Sequence, residues 1–171
     1  MMSKRQEMLS WSDFARLIDY LVPQFNKTYT CILMVNQGGI IPGAMLAEAM
    51  EIKQLYLVSV NFPMDNQLNP HNSFSIELPL FSQFPEINLL KRQPLLLVAE
   101  HWHSGREMMA CLARLEREGL AADTAVLHFD SSKNRFEGNE PTYCATRTRA
   151  HIIYPWQGTT GFLPKLITPI R

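Results

Sequence analysis

The sequence predicts an α/β fold: a parallel sheet of about five strands, helices on both faces, and an irregular hood. Three observations predict it. Short, uninterrupted apolar runs alternate with segments of helical periodicity, the pattern of strands buried on both faces. Two glycine-bearing turns, 36–39 and 99–105, directly follow such runs, at the strand ends where sheets of this kind bind ligands. One long stretch, 61–90, breaks the alternation.

The elements follow in order. Ser12 is read as the N-cap of a first helix with Asp13 in its first turn. Phe14, Leu17, Ile18 and Leu21 recur at helical spacing, and Pro23 ends the pattern. YTCILMV (29–35) is the first strand, and after NQGG the run IIPGAMLAEAM is a helix. LYLVSV (55–60) and PLLLV (94–98) are the second and third strands. The helix 106–118 turns Met109, Leu112, Ala113 and Leu115 inward and stops at Gly119. TAVLHF (124–129) is the fourth strand and AHIIY (150–154) the fifth. Residues 61–90, rich in Pro, Asn, Phe and Ser, contain no Lys or Arg, and have the length of a lid or binding loop. The hood is taken as 61–92. A second irregular stretch, 130–149, carries Lys133, Arg135, Arg147 and Arg149.

The 171 residues fit one domain, 1–171, with a core of its own. With 46% hydrophobic and 19% charged residues the class is soluble globular. Sixteen basic residues balance 16 acidic ones, whereas a duplex nucleic-acid binder carries a basic excess. No apolar run approaches the ~20 residues that span a bilayer. The N-terminal stretch lacks the apolar centre of a signal peptide, so the expected compartment is the cytoplasm. Cys31, Cys111 and Cys144 are odd in number and widely spaced, and read as reduced thiols without a disulfide or a zinc site.

The chemistry concentrates in EHWHSGRE (100–107). Ser104 and Gly105 let the chain turn from strand into helix. The first amides of that helix lack internal partners and lie at the positive end of its dipole, which suits phosphate. The Ser104 hydroxyl and Arg106 add donors. The competing reading is a capping serine beside a solvated arginine. His101 and His103 share a face with Glu100 in reach, so a zinc pair is geometrically open, but hydrogen-bonded or exposed histidines are the commoner outcome, and Trp102 is read as packed rather than as a stacking platform.

These segments resemble the type I phosphoribosyltransferases, above all the purine-salvage (hypoxanthine, guanine and xanthine) enzymes, over most of the chain. ILMVNQGGIIPGAMLAEAM is similar to the family's strand, pyrophosphate loop and helix, and LLLVAEHWHSGREM to its signature strand and phosphoribosyl-phosphate loop. LSWSDFARLIDYLV is similar to the leading helix of one bacterial and archaeal subgroup, and IIYPW to the segment that covers the base. The resemblance implies transfer of ribose 5-phosphate from phosphoribosyl pyrophosphate to a nitrogen base with Mg2+, in a fold where homodimers are common. In the family two adjacent acids after the strand hold ribose hydroxyls and magnesium, and a later Asp helps move a proton at the base. The matching positions here are Ala99 and Glu100, and His103.

The resemblance therefore assigns Glu100 to ribose and magnesium, and His103 to acid–base work. It assigns Ser104, Gly105, Arg106 and Glu107 to the 5-phosphate, and Gln37, Gly38 and Gly39 to pyrophosphate. Lys133, Ile152 and Tyr154 are the base-side candidates. Core packing for Trp156 and a solvated Lys133 are the plainer readings there. Three departures stand out. Gln37 replaces the arginine of the pyrophosphate loop, although expelling pyrophosphate needs cations. Ala99 removes one hard oxygen ligand from magnesium. Glu107 puts a carboxylate where many relatives have a hydroxyl, beside the phosphate. The expected function is binding of a phosphoribosyl or purine-nucleotide ligand with base transfer weak or lost, as in sensing a metabolite or regulating a partner. The alternatives are a working purine phosphoribosyltransferase and a non-catalytic interaction scaffold. Neither nucleic acid nor membrane is an expected partner.

Overall fold

The computed structural model describes residues 5–62 and 78–157. The hood segment 63–77, including Asp65, His71 and Glu77, lies outside the described residues. In chain order the elements are β1 (Gln6–Met8), α1 (Trp11–Leu21), β2 (Cys31–Val35), α2 (Ile40–Ala49), β3 (Gln54–Asn61), β4 (Leu80–Gln83), α3 (Ile87–Leu90), β5 (Leu95–Trp102), α4 (Arg106–Arg117), β6 (Ala122–Phe129), β7 (Tyr143–Arg147) and β8 (His151–Ile153).

Six strands form one sheet in the order β4-β3-β2-β5-β6-β7, parallel except for β4, which runs antiparallel to β3. The expected α/β class is therefore present, with two differences at the margins. YCATR is the edge strand β7, inside the stretch read as irregular. The run expected as the fifth sheet strand is β8, which pairs in parallel with β1 as a separate two-stranded ribbon.

Strand alternation explains how the sheet buries both faces. Leu96 and Val98 of β5 join the core formed with α1 and α2, while Leu95 and Leu97 join the core under α4. Helix α1 enters the first core through Phe14, Ile18 and Leu21. Its N-cap is Ser10, not Ser12. The Ser10 hydroxyl accepts from the Asp13 amide at 3.1 Å, and the Asp13 carboxylate accepts from the Ser10 amide at 2.9 Å. This reciprocal pair satisfies two donors that the helix end leaves open. Helix α4 packs through Met108, Cys111 and Leu115, and Ala113 faces solvent rather than the core. Gly119, at φ 70°, ends it as expected.

The turn between β2 and α2 is built around two demands. Asn36 takes φ 54°, held by its side chain, which donates to the Val60 carbonyl at 3.1 Å and accepts from the Val60 amide at 2.8 Å. Gly39 then passes so close to β5 that a Cβ would overlap the Val98 carbonyl oxygen. Loop 37–39 is thus clamped between β3 and β5. Gly39→Ala is expected to lose about 1–3 kcal/mol, because backbone cannot yield to the added methyl. Thermal denaturation beside the wild type checks this; an unchanged midpoint in Gly39→Ala would contradict the clamp.

Candidate functional site

Strand β5 carries Glu100, His101 and Trp102 past the sheet edge, and the chain reverses into α4 through Gly105 at φ 78°. Only glycine fits there. A Cβ would meet the Trp102 indole nitrogen and Asn134 Oδ1. Trp102 is buried, and its Nε1–H donates to Asn134 Oδ1 at 3.2 Å. The following loop is laced onto the turn by backbone bonds from Asp130 to the Trp102 carbonyl (3.0 Å) and from Arg135 to the Ser104 carbonyl (3.1 Å). The N-cap of α4 is Gly105, and the Ser104 hydroxyl accepts only a long 3.4 Å bond from the Arg106 amide. The first internal helix bond is Met109 N–H to the Gly105 carbonyl at 2.9 Å. The amides of Glu107 and Met108 precede it and act as outward donors. They border a cleft of about 230 Å³ lined by Asn36, Gly38, Glu100, His103, Ser104 and Glu107.

Glu100 turns its carboxylate away from a ligand role. Oε2 accepts from Trp156 Nε1 at 3.2 Å and Oε1 from Gln157 Nε2 at 3.1 Å. The same carboxyl group presses on Gly38, where a Cβ would collide with it. Burial raises its pKa, with the Trp156 bond opposing. Magnesium takes hard oxygen ligands in an octahedral arrangement, one or two carboxylates from the protein and the rest from water and substrate phosphates. Glu100 offers one carboxylate, already bonded through both oxygens, beside Ala99, which offers none. Among the described residues no group of three His, Cys, Asp or Glu side chains is placed to hold a metal ion. Of the two adjacent acids expected to hold Mg2+, this strand end offers only Glu100, whose oxygens are already bonded to Trp156 and Gln157.

Beyond Glu100 lies a cluster whose His101 and His103 are legible in the sequence and whose His128 and Asp130 are not. His101 and His128 are cross-strand neighbours on β5 and β6. The His101 and His103 rings stack with centroids 3.5 Å apart. Burial, then the charges of His103, His128 and Lys133, lowers the His101 pKa to about 3; burial lowers that of His128 to about 4. Both are neutral near pH 7. Asp130 is fully buried. Burial pushes its pKa up, but Lys133 and the Ser132 hydroxyl outweigh this and hold it below the usual carboxylate value. Lys133 Nζ lies 2.9 Å from Asp130 Oδ2 and 3.2 Å from His103 Nδ1.

The other expected site residues divide. Ser104, Gly105 and Glu107 line the cleft with His103, and the Arg106 guanidinium lies 4.0 Å over the Phe62 ring. Gln37 is exposed and borders a second, open cleft of about 590 Å³ with Ile40, Ile41 and Trp156, separated from the first by Glu100 and Gly38. The base-side expectations need correction. Ile152 and Tyr154 are core residues, 4% and 2% exposed. The Tyr154 hydroxyl donates to the Glu100 carbonyl at 2.8 Å and lies 2.7 Å from His128 Nδ1. Lys133 is ion-paired rather than solvated. Trp156 stacks on Tyr154 at 4.8 Å and packs edge-on to Phe14 at 4.9 Å, as the packing alternative held.

No family model matches the chain, and no curated protein matches it by sequence. Solved structures do. A purine phosphoribosyltransferase from Pyrococcus horikoshii superposes with a TM-score of 0.73 at 19% identity, over 90% of this chain and 95% of that one. A xanthine-guanine-hypoxanthine phosphoribosyltransferase from Helicobacter pylori gives 0.74 at 16% identity, over 90% and 94%. A hypothetical protein from Neisseria gonorrhoeae with bound ppGpp gives 0.76 at 24% identity, over 94% and 93%. The chain has the type I phosphoribosyltransferase fold.

The two buried imidazoles make stability acid-sensitive. Unfolded histidines titrate near 6.5, so as pH falls the unfolded chain binds protons that folded His128 refuses down to about 4. Stability is full above pH 6.5 and falls between 6.5 and about 4, by on the order of 3 kcal/mol for His128. Thermal melts at stepped pH should show this fall and a shallower one in His128→Gln; equal slopes would contradict it.

Proposed function

We propose that this protein binds a phosphorylated ribose ligand, a purine nucleotide or phosphoribosyl compound, at the β5–α4 turn, and that it transfers a purine base poorly or not at all. The observation that carries the reading is Glu100. The one surviving acid of the resembling signature is bonded through both oxygens to Trp156 and Gln157, and burial raises its pKa. The turn itself keeps what phosphate needs: two outward helix amides, a serine hydroxyl, and a cleft open between them. The Pyrococcus and Helicobacter neighbours are purine or xanthine-guanine-hypoxanthine phosphoribosyltransferases, and the Neisseria neighbour was solved with ppGpp, which supports a phosphorylated purine ligand.

On the other side of Glu100, Gln37 borders a cleft with Ile40, Ile41 and Trp156, and among the described residues no Lys or Arg lines it, where a leaving pyrophosphate would need cations. Lys133 and Arg147 do not supply them. Lys133 pairs with Asp130, and Arg147 pairs with Glu140 at 2.6 Å while lying 4.9 Å over Phe129. Glu107 beside the turn weakens phosphate binding by repulsion, so modest affinity is expected.

Isothermal titration calorimetry with guanosine monophosphate, ppGpp and phosphoribosyl pyrophosphate, each with and without magnesium, tests this. The nucleotides should bind equally well with and without the ion. Ser104→Ala should weaken them about three- to tenfold, the loss of one hydrogen bond, and Glu107→Ser should tighten them. Binding of phosphoribosyl pyrophosphate that depends on magnesium would overturn the reading.

A further inference from the structure

Helix α2 is apolar on every side. Pro42, Gly43, Leu46 and Ala47 face the core, while Ile40, Ala44 and Met45 face outward, Ile40 at 39% and Met45 at 43% exposure. A helix of that kind belongs between two layers. Helix α4 shows the ordinary case, with Glu107, Glu116 and Arg117 on its outer face. The outer face of α2 continues across the cleft of Ile40, Ile41 and Trp156 to Trp11, which is exposed and whose ring lies 6.1 Å from that of Trp156. Together these side chains make one apolar surface, and a contiguous apolar patch marks a contact surface.

Where the chain goes next bears on what covers it. Trp156 and Gln157 donate to the two oxygens of Glu100 at 3.2 and 3.1 Å, so the chain is pinned at the rim of this cleft. The 14 residues 158–171 follow. Extended chain spans ~3.3 Å per residue, about 45 Å for this segment, whereas ten-residue α2 is about 15 Å long. The segment carries Phe162, Leu163, Leu166, Ile167 and Ile170, and its charged side chains, Lys165 and Arg171, are both basic. The one charge of α2 is Glu48, which is exposed. A tethered segment meets the face at an effective concentration on the order of millimolar. A second copy would give up translational and rotational freedom to reach the same face.

We propose that the segment 158–171 of this chain lies along the outer face of α2 and covers Ile40, Met45 and the cleft beside Gln37. This goes beyond ligand binding at the β5–α4 turn, whose cleft lies on the other side of Glu100 and Gly38. The segment covers the side on which a pyrophosphate would sit and leaves the phosphate turn open.

The test is a spin label on the segment, read at methyl groups of the full chain. Thr168→Cys is labelled in a Cys144→Ser background, because Cys31 and Cys111 are buried and inert. The methyl signals of Ile40, Ile41 and Met45 should lose most of their intensity. Met109 of α4, packed against the other core, should keep its own. Adding Phe162→Asp and Leu166→Asp on the segment should restore the three signals. Mixing spin-labelled, isotopically silent protein with methyl-labelled protein that bears no spin label should leave them unchanged. Loss of intensity in that mixed sample would make a second copy the occupant and overturn the proposal. Full intensity at Ile40, Ile41 and Met45 in the labelled chain would overturn it as well, and so would a loss that persists with both aspartates in place.

Discussion

The functional end of this molecule depends on where one carboxylate goes. Glu100 leaves β5 at the boundary between two clefts, and its group is gripped from three directions: Trp156, Gln157 and the backbone at Gly38. Trp156 is in turn stacked on Tyr154, whose hydroxyl holds the Glu100 carbonyl. The side chain and backbone of one residue thus tie the C-terminal end of the described chain to the central strand and to loop 37–39. Burial favours the neutral form of such a group, and hydrogen-bond donors recover part of the cost. A carboxylate used this way is a structural bolt, and a poor ligand for ribose or metal.

The same economy governs the neighbouring charges. Asp130 and Lys133 form an ion pair inside a small volume with the ammonium 3.2 Å from His103 Nδ1, and His128 bonds Tyr154 on the other side of His101. Burying isolated charges is costly, and mutual pairing is how it becomes tolerable. What remains open toward the cleft is a set of neutral or partial-charge donors at the start of α4. That set suits holding a phosphate more than expelling one.

Much of this was legible in the sequence, and the parts that were not share a cause. The apolar runs marked β2, β3, β5 and β6 because a doubly covered strand needs side chains on both faces. Gly38, Gly39 and Gly105 are glycines because a Cβ would meet the Glu100 carboxyl, the Val98 carbonyl, and the Trp102 and Asn134 side chains in turn. The strand YCATR was missed because it is short, half polar and at a sheet edge, and β8 was misassigned because three residues carry no pairing signal. The fate of Glu100 was invisible because its partners lie 56 and 57 residues away and are an indole and an amide, types that promise nothing specific. Asp130 opens the stretch after β6, and its full burial there depends on contacts with the end of β5 that its sequence neighbours do not announce. Tyr154 and Ile152 were drawn toward a base by resemblance, when their apolar bulk had already committed them to the core.

The most direct test of the account is release of pyrophosphate from phosphoribosyl pyrophosphate, followed with hypoxanthine, guanine and xanthine in the presence of magnesium. The account predicts no release above the protein-free rate with any of the three bases. Release that requires both magnesium and a base would mean that Glu100 leaves Trp156 and Gln157 to serve the reaction, and the account of this site would fail.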